Sequence, residues 1–283
     1  MKVLFSFVFS LVSLATFAQE KPLDSLVNGY TGQEGLITTY WHPEKSKLLL
    51  AVNDSLLGKP LLMVTRYVSL PANYSAYRNA GSKTAESVIS FEREANKIVL
   101  KQLSYVNLAD EKDPIAQSVV QNNLAPILAV FEQMNTEENT LLFDATDFFS
   151  KDSPGFNAVG ETEKKNFKIG SIDSKRSFIN EVRSFPLNAE ITHTLTYPVA
   201  AAPRSNRSET FSFKLNHSII ALPENPMPTR KVDHRIGWFS LEQYNYSSEE
   251  LKSDNYRIAT RWRLEPKDKE AYARGVLSEP IKP

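Results

Sequence analysis

Polar and apolar residues alternate most strictly between Ala189 and Tyr197. Ala189, Ile191, His193, Leu195 and Tyr197 share one side of an extended chain there, and Glu190, Thr192, Thr194 and Thr196 the other. The period returns in Phe211, Phe213, Leu215, His217 and Ile219. The two segments, joined by a loop containing Pro203, are therefore expected to form a long antiparallel hairpin with one packed face. Tyr256, Ile258, Thr260, Trp262 and Leu264 alternate in the same way, which reads Trp262 as a core residue and puts Arg257, Arg261 and Arg263 on the opposite face.

Elsewhere the pattern is shorter. β-branched and apolar runs predict strands over 35–41 and 47–52 around a turn at 42–46, a capped turn over 53–58, and strands over 61–68, 88–93 and 97–102. Residues 69–84, rich in Pro, Ala, Asn, Ser and Gly, read as a linker or surface loop. The stretch 114–135 predicts an extended piece followed by a short helix over 126–134. Leu141 to Phe149 reads as a buried strand ending in a helical turn capped by Thr146 or Asp147. Phe178, Ile179, Val182 and Phe185 fit one face of a short helix that Asp173 and Ser174 cap and Pro186 stops. These elements define an α+β, β-dominant chain of antiparallel hairpins with a few short helices.

Composition narrows the function. With 41% hydrophobic residues in 283 the chain can build a core, and 33 basic against 33 acidic residues leave no excess charge for nucleic acid. Lys2, the apolar run 3–17 and Thr16-Phe17-Ala18 read as a signal peptide cleaved after Ala18, so the chain is expected to be exported to the periplasm or beyond. No cysteine is present, which excludes disulfides, thiolate metal sites and a lipid anchor at the leader junction. No second long apolar stretch predicts a membrane span.

Little in the sequence points to catalysis. His193 and His217 lie on apolar faces of strands expected to pair, yet a zinc site needs about three protein ligands, so each is read as a core or rim residue making one hydrogen bond. His42, beside Pro43, is expected at the surface, and Glu137-Glu138 and Glu249-Glu250 on solvated faces. Trp41, Trp238 and Trp262 are read as core, with an aromatic binding groove as the alternative. No phosphate loop, dinucleotide fingerprint or serine-nucleophile elbow occurs.

Several phrases form a recognisable set: Gln33-Glu34-Gly35-Leu36-Ile37, Asp54 to Lys59, Ser90-Phe91-Glu92-Arg93, Asp233-His234-Arg235-Ile236-Gly237-Trp238, Arg261-Trp262-Arg263-Leu264-Glu265-Pro266, and the ending Arg274-Gly275 to Pro283. Together they resemble the non-catalytic N-terminal half of a family of large secreted bacterial zinc-dependent metalloproteases. After the signal peptide at 1–18, the resemblance implies a small β domain at 19–70, a main β-rich domain at 71–266, and an exit segment at 267–283 that leads to a catalytic domain. His-Glu-x-x-His is absent from the sequence, so the chain is expected to be catalytically incomplete, with no zinc or other cofactor of its own. Its expected role is to support a protease domain, encoded separately or lost, with a stand-alone envelope module for peptide or glycan as the alternative. Asp233, Arg235, Gly237, Trp238, Arg261 and Arg263 form the polar constellation that stands out. It is read either as an ion pair pinning a loop to the sheet around an unusual backbone angle at Gly237, or as a docking edge or plug directed at the protease. A third possibility, an unrecognised enzyme, requires His193, His217, Asp233 and Arg235 to converge.

Overall fold

The computed structural model describes residues 22–134, 139–153, 155–156, 158–203, 208–247 and 252–279. The expected leader, both glutamate pairs and residues 280–283 lie outside them. With strands numbered in chain order, a four-stranded antiparallel sheet runs β1 (Thr31–Gln33), β2 (Thr38–His42), β3 (Lys47–Asn53), β9 (Thr140–Asp144). A seven-stranded antiparallel sheet runs β10 (Phe178–Phe185), β11 (Asn188–Pro198), β12 (Thr210–Ala221), β4 (Leu61–Ser69), β5 (Lys83–Glu94), β6 (Lys97–Leu103), β8 (Ile127–Glu132). A small third sheet runs β14 (Asp254–Ala259), β13 (Ser240–Asn245), β7 (Asn107–Leu108), with β7 parallel to β13. Five short helices complete the described elements: α1 (Leu23–Leu26), α2 (Ile115–Asn122), α3 (Thr146–Ser150), α4 (Glu161–Asn166) and α5 (Lys269–Ala273). The molecule is β-dominant, with a few short helices, as the patterning predicted.

The main core lies between the two larger sheets. Leu48, Leu50 and Val52 of β3 and Phe143 of β9 meet Met63, Phe91, Leu100 and Ile219 of the seven-stranded sheet. Leu49 and Ala51 point the other way, onto Leu142 and the side chains of α1. Strand β3 is thus buried on both faces, which is why it reads Leu-Leu-Leu-Ala-Val without alternation. A second cluster continues along the same hairpin, where Leu195, Tyr197, Phe211, Phe213 and Leu215 are covered by Tyr74, Phe167 and Ile169. The loop read as a linker therefore joins two neighbouring strands, β4 and β5, and carries a buried Tyr74.

Several local expectations are overturned. The order of elements after Pro114 is reversed: 115–122 is the helix, begun where Asp113 Oδ1 accepts from Ile115 N at 3.1 Å, and 127–132 is a strand. Pro126 opens that strand rather than a helix, its carbonyl accepting from Gln102 N, because pairing with β6 outweighs local preference. Residues 178–185 are a strand as well, and only 174–176 makes a single helical turn, capped by Asp173. The register slips between Ile179 and Glu181, and this bulge brings Ile179 and Val182 to the same buried face, three residues apart, mimicking a helical period. At α3 the N-cap is Ala145, which has no side-chain cap, and Asp144 Oδ1 just before it accepts from Thr146 N at 2.8 Å, so neither Thr146 nor Asp147 caps the turn. Strand β14 stops at Ala259, so Trp262 (79% exposed) and Leu264 are not core residues. Trp41 does pack against the main core, and His42 is half-buried with its ring edge-on to Tyr30.

Candidate docking surface

After β12 the chain leaves the double sheet and builds its last layer around β13 and β14. The loop before β13 is tied to β14 by backbone: Val232 N donates to Arg257 O at 2.8 Å and Ala259 N to Arg230 O at 2.9 Å. Strand β13 is held to the rest of the molecule through β7, where Tyr244 N donates to Val106 O at 2.7 Å and Tyr246 N to Leu108 O at 2.8 Å.

Within the loop, Asp233 and Arg235 close on each other. Arg235 Nε lies 2.9 and 3.0 Å from the two Asp233 oxygens, Arg235 Nη2 also bonds Oδ2, and Arg235 N donates to Oδ1 at 2.9 Å. These bonds, the side-chain ones foremost, hold the Asp233 carboxyl below its usual range. The pair is exposed and internal to the turn, so it shapes the loop without pinning it to the sheet. Arg261 and Arg263 do not join it: Arg261 Nη2 donates to Pro228 O, and Arg263 Nε to Glu265 Oε1 at 2.7 Å. Gly237 is not among the glycines with positive φ, and a side chain there would meet nothing within 4 Å, so the turn needs no unusual backbone angle at that position. Trp238 adds a side-chain link to the loop's backbone bonds, its Nε1 donating to Thr260 O just past β14 while the residue stays 58% exposed.

Beneath this loop lies an open groove of about 600 Å³, lined in part by Lys231, His234, Trp238, Glu242, Tyr256 and Arg257. Lys231 sits 4.4 Å above the Tyr256 ring and 3.3 Å from Asp254. Sequence reasoning singled out Trp238 but not Glu242 or Lys231. They meet only because the 230–232 segment folds back onto β14.

The whole layer lacks an interior. Among the described residues from Ala221 to Glu279 none is buried, although Ile236, Trp238, Phe239, Leu241, Trp262, Leu264, Tyr272, Val276 and Leu277 are all large and apolar. Large apolar surface left uncovered marks a site of interaction more often than a free face.

His193 and His217 do meet, at the seam between the two core clusters. Both are fully buried, their Nε2 atoms 2.6 Å apart. His193 Nδ1 contacts the Phe149 carbonyl, so it must carry the proton; its Nε2 then accepts from His217 Nε2–H, and His217 Nδ1 accepts from Thr65 Oγ1 at 2.9 Å. The chain of bonds is complete with both rings neutral and leaves no ring nitrogen for a metal. Among the described residues no group of three or more His, Asp or Glu is arranged to hold one. Burial lowers the His193 pKa to about 4, and burial with repulsion from His193 lowers that of His217 well below its ordinary value. The pair is sealed in the core while Asp233 and Arg235 stand in solvent, so the four do not form one catalytic pocket.

The chain belongs to a family described as a domain of unknown function (DUF5117), whose model matches residues 81–267. Residues 20–70 match a second such family, a domain of unknown function (DUF5118). The two matched segments share one core, since β3 from residues 20–70 pairs with β9 from residues 81–267, and β4 of the shorter segment lies between β12 and β5 of the longer one. No curated protein and no solved structure matches the chain. No helix among the described residues is long and apolar enough to cross a membrane.

Proposed function

We propose that this chain is the non-catalytic N-terminal part of an exported zinc-dependent metalloprotease and that its last layer is the seat for the protease domain. The observation that carries this is the 221–279 segment, ordered by hydrogen bonds yet without one buried side chain among its described residues. Covering Trp238, Phe239, Leu241, Trp262 and Leu264 is worth about 1.5–3 kcal/mol per side chain before the costs of association. The phrases that resemble the metalloproteases, Asp233 to Trp238 and Arg261 to Pro266, form much of this uncovered surface. Asp233 is held by its own Arg235, so the loop acts as a docking edge rather than as a plug reaching for zinc.

The test begins with the nucleotide sequence beyond the Pro283 codon, read for a segment containing His-Glu-x-x-His. That domain is then assayed for zinc-dependent peptide hydrolysis alone, with this chain, and with a Phe239→Asp, Trp262→Asp variant. Hydrolysis that needs the wild-type chain and fails with the variant supports docking; hydrolysis indifferent to the chain sinks it.

A second reading, capture of an extended peptide or a glycan, is favoured by the groove, which offers the Trp238 and Tyr256 rings beside Arg257 and Glu242. Titration of the tryptophan fluorescence with peptide and glycan libraries, in the wild type and in a Trp238→Phe variant, distinguishes the two.

A further inference from the structure

The two ends of the seven-stranded sheet are finished differently. At β10 the outward backbone is occupied: Ile179 N donates to Ser46 Oγ at 2.9 Å, Ser184 N to Gln33 Oε1 at 3.0 Å, and Leu36 N to Phe185 O at 2.7 Å. Gly35 allows this closure, since a β-carbon there would lie 2.6 Å from Phe185 O. The strand also carries a bulge and the charges Glu181 and Arg183.

Among the described residues, strand β8 at the other end has no such cover. Its sequence, Ile-Leu-Ala-Val-Phe-Glu, contains no proline, glycine or lysine, the residues that usually blunt an edge. Gln133 N donates to Asn96 O, so Val130 and Glu132 occupy non-hydrogen-bonded positions opposite Val99 and Lys97. Their N–H and C=O groups therefore point away from β6, and no backbone partner for them is found among the described residues. The Val130 side chain is 49% exposed beside an exposed Ile127.

We propose that β8 pairs antiparallel with β8 of a second copy of this chain, about a two-fold axis at Val130. Only an extended chain supplies donors and acceptors at the spacing of these groups. A second copy fits because an antiparallel pair centred on Val130 exchanges both of its outward hydrogen bonds with the same residue and packs one half-exposed valine on the other. In that register Phe131, at the edge of the main core, faces its mate's Ala129, which extends the packed face. The formal net charge is zero, so no self-repulsion opposes the approach. The strand belongs to a different sheet from the docking surface, so this proposal stands or fails separately from the protease reading.

The chain contains no cysteine, so one introduced thiol reports the contact. On mild oxidation Val130→Cys is expected to give a disulfide-linked dimer, because directly opposed hydrogen-bonded residues lie about 5.5 Å apart at Cα, within disulfide range. Val120→Cys on α2, also exposed, should stay unlinked. In sedimentation equilibrium the wild type should dimerise, and Val130→Lys should weaken the dimer at least tenfold with its near-UV circular dichroism unchanged. A wild type that is monomeric at every concentration overturns the proposal, as does a dimer indifferent to Val130→Lys. Linking of both cysteine variants to the same extent overturns it too.

Discussion

Between Ile37 and Ile219 large apolar side chains build a buried core, although some, Leu124 and Val130 among them, stay exposed, whereas none of the described residues from Ala221 to Glu279 is buried. Both regions contain paired strands, tight turns and ion pairs, so local order is not what separates them. The difference is layering. In the first region two sheets lie face to face with α3 and the segment around Phe156 filling the gap, while in the second a small sheet has no buried side chain among its described residues. A lone sheet satisfies its hydrogen bonds but leaves its apolar face exposed.

Mutations should split the two regions sharply. Phe143→Ala, at the centre of the main core, is expected to cost about 3–5 kcal/mol in urea unfolding, and Phe239→Ala under about 0.5 kcal/mol. A Phe239 variant as costly as the Phe143 variant would mean that the last layer already has a partner within the fold.

Acid should also act on the first region. Burial depresses both histidine pKa values, so below their ordinary 6.5 the unfolded chain takes up protons that the folded chain refuses. Their contribution is therefore complete above pH 6.5 and is lost as the pH falls toward about 4, at up to about 2.7 kcal/mol per pH unit if both sites contribute. Urea midpoints measured between pH 7 and 4 should show this fall, and His193→Gln with His217→Gln should flatten it. A wild-type profile as flat as that of the double variant would remove the buried pair as its cause.

The smallest effect belongs to the turn. Asp233→Asn should leave the unfolding midpoint unchanged, because the Arg235 pair is exposed and short in range. A clear loss would show that the turn supports the layer after all.

How much of this was legible follows from how much was local. The 189–197 and 211–219 hairpin was readable because one face is packed and the other carries a polar ladder, with Thr192 Oγ1 donating to Asn216 Oδ1 at 2.8 Å and Ser218 Oγ to Glu190 Oε2 at 2.7 Å. Strand β10 was not, because one bulge converts a two-residue period into a three-residue one. The Asp233–Arg235 pair was legible from its spacing, but its separation from Arg261 and Arg263 was not, since those two find partners set by chain return.

Period-two patterning, turn residues and the absence of cysteine determined by themselves that this chain folds as antiparallel β structure without disulfides. Tertiary structure alone decided that His193 and His217 exhaust each other's hydrogen-bonding capacity and that Trp262, in phase with apolar neighbours, faces water. Alternation records which side of a strand is apolar; whether anything lies opposite that side depends on another part of the fold or on another molecule.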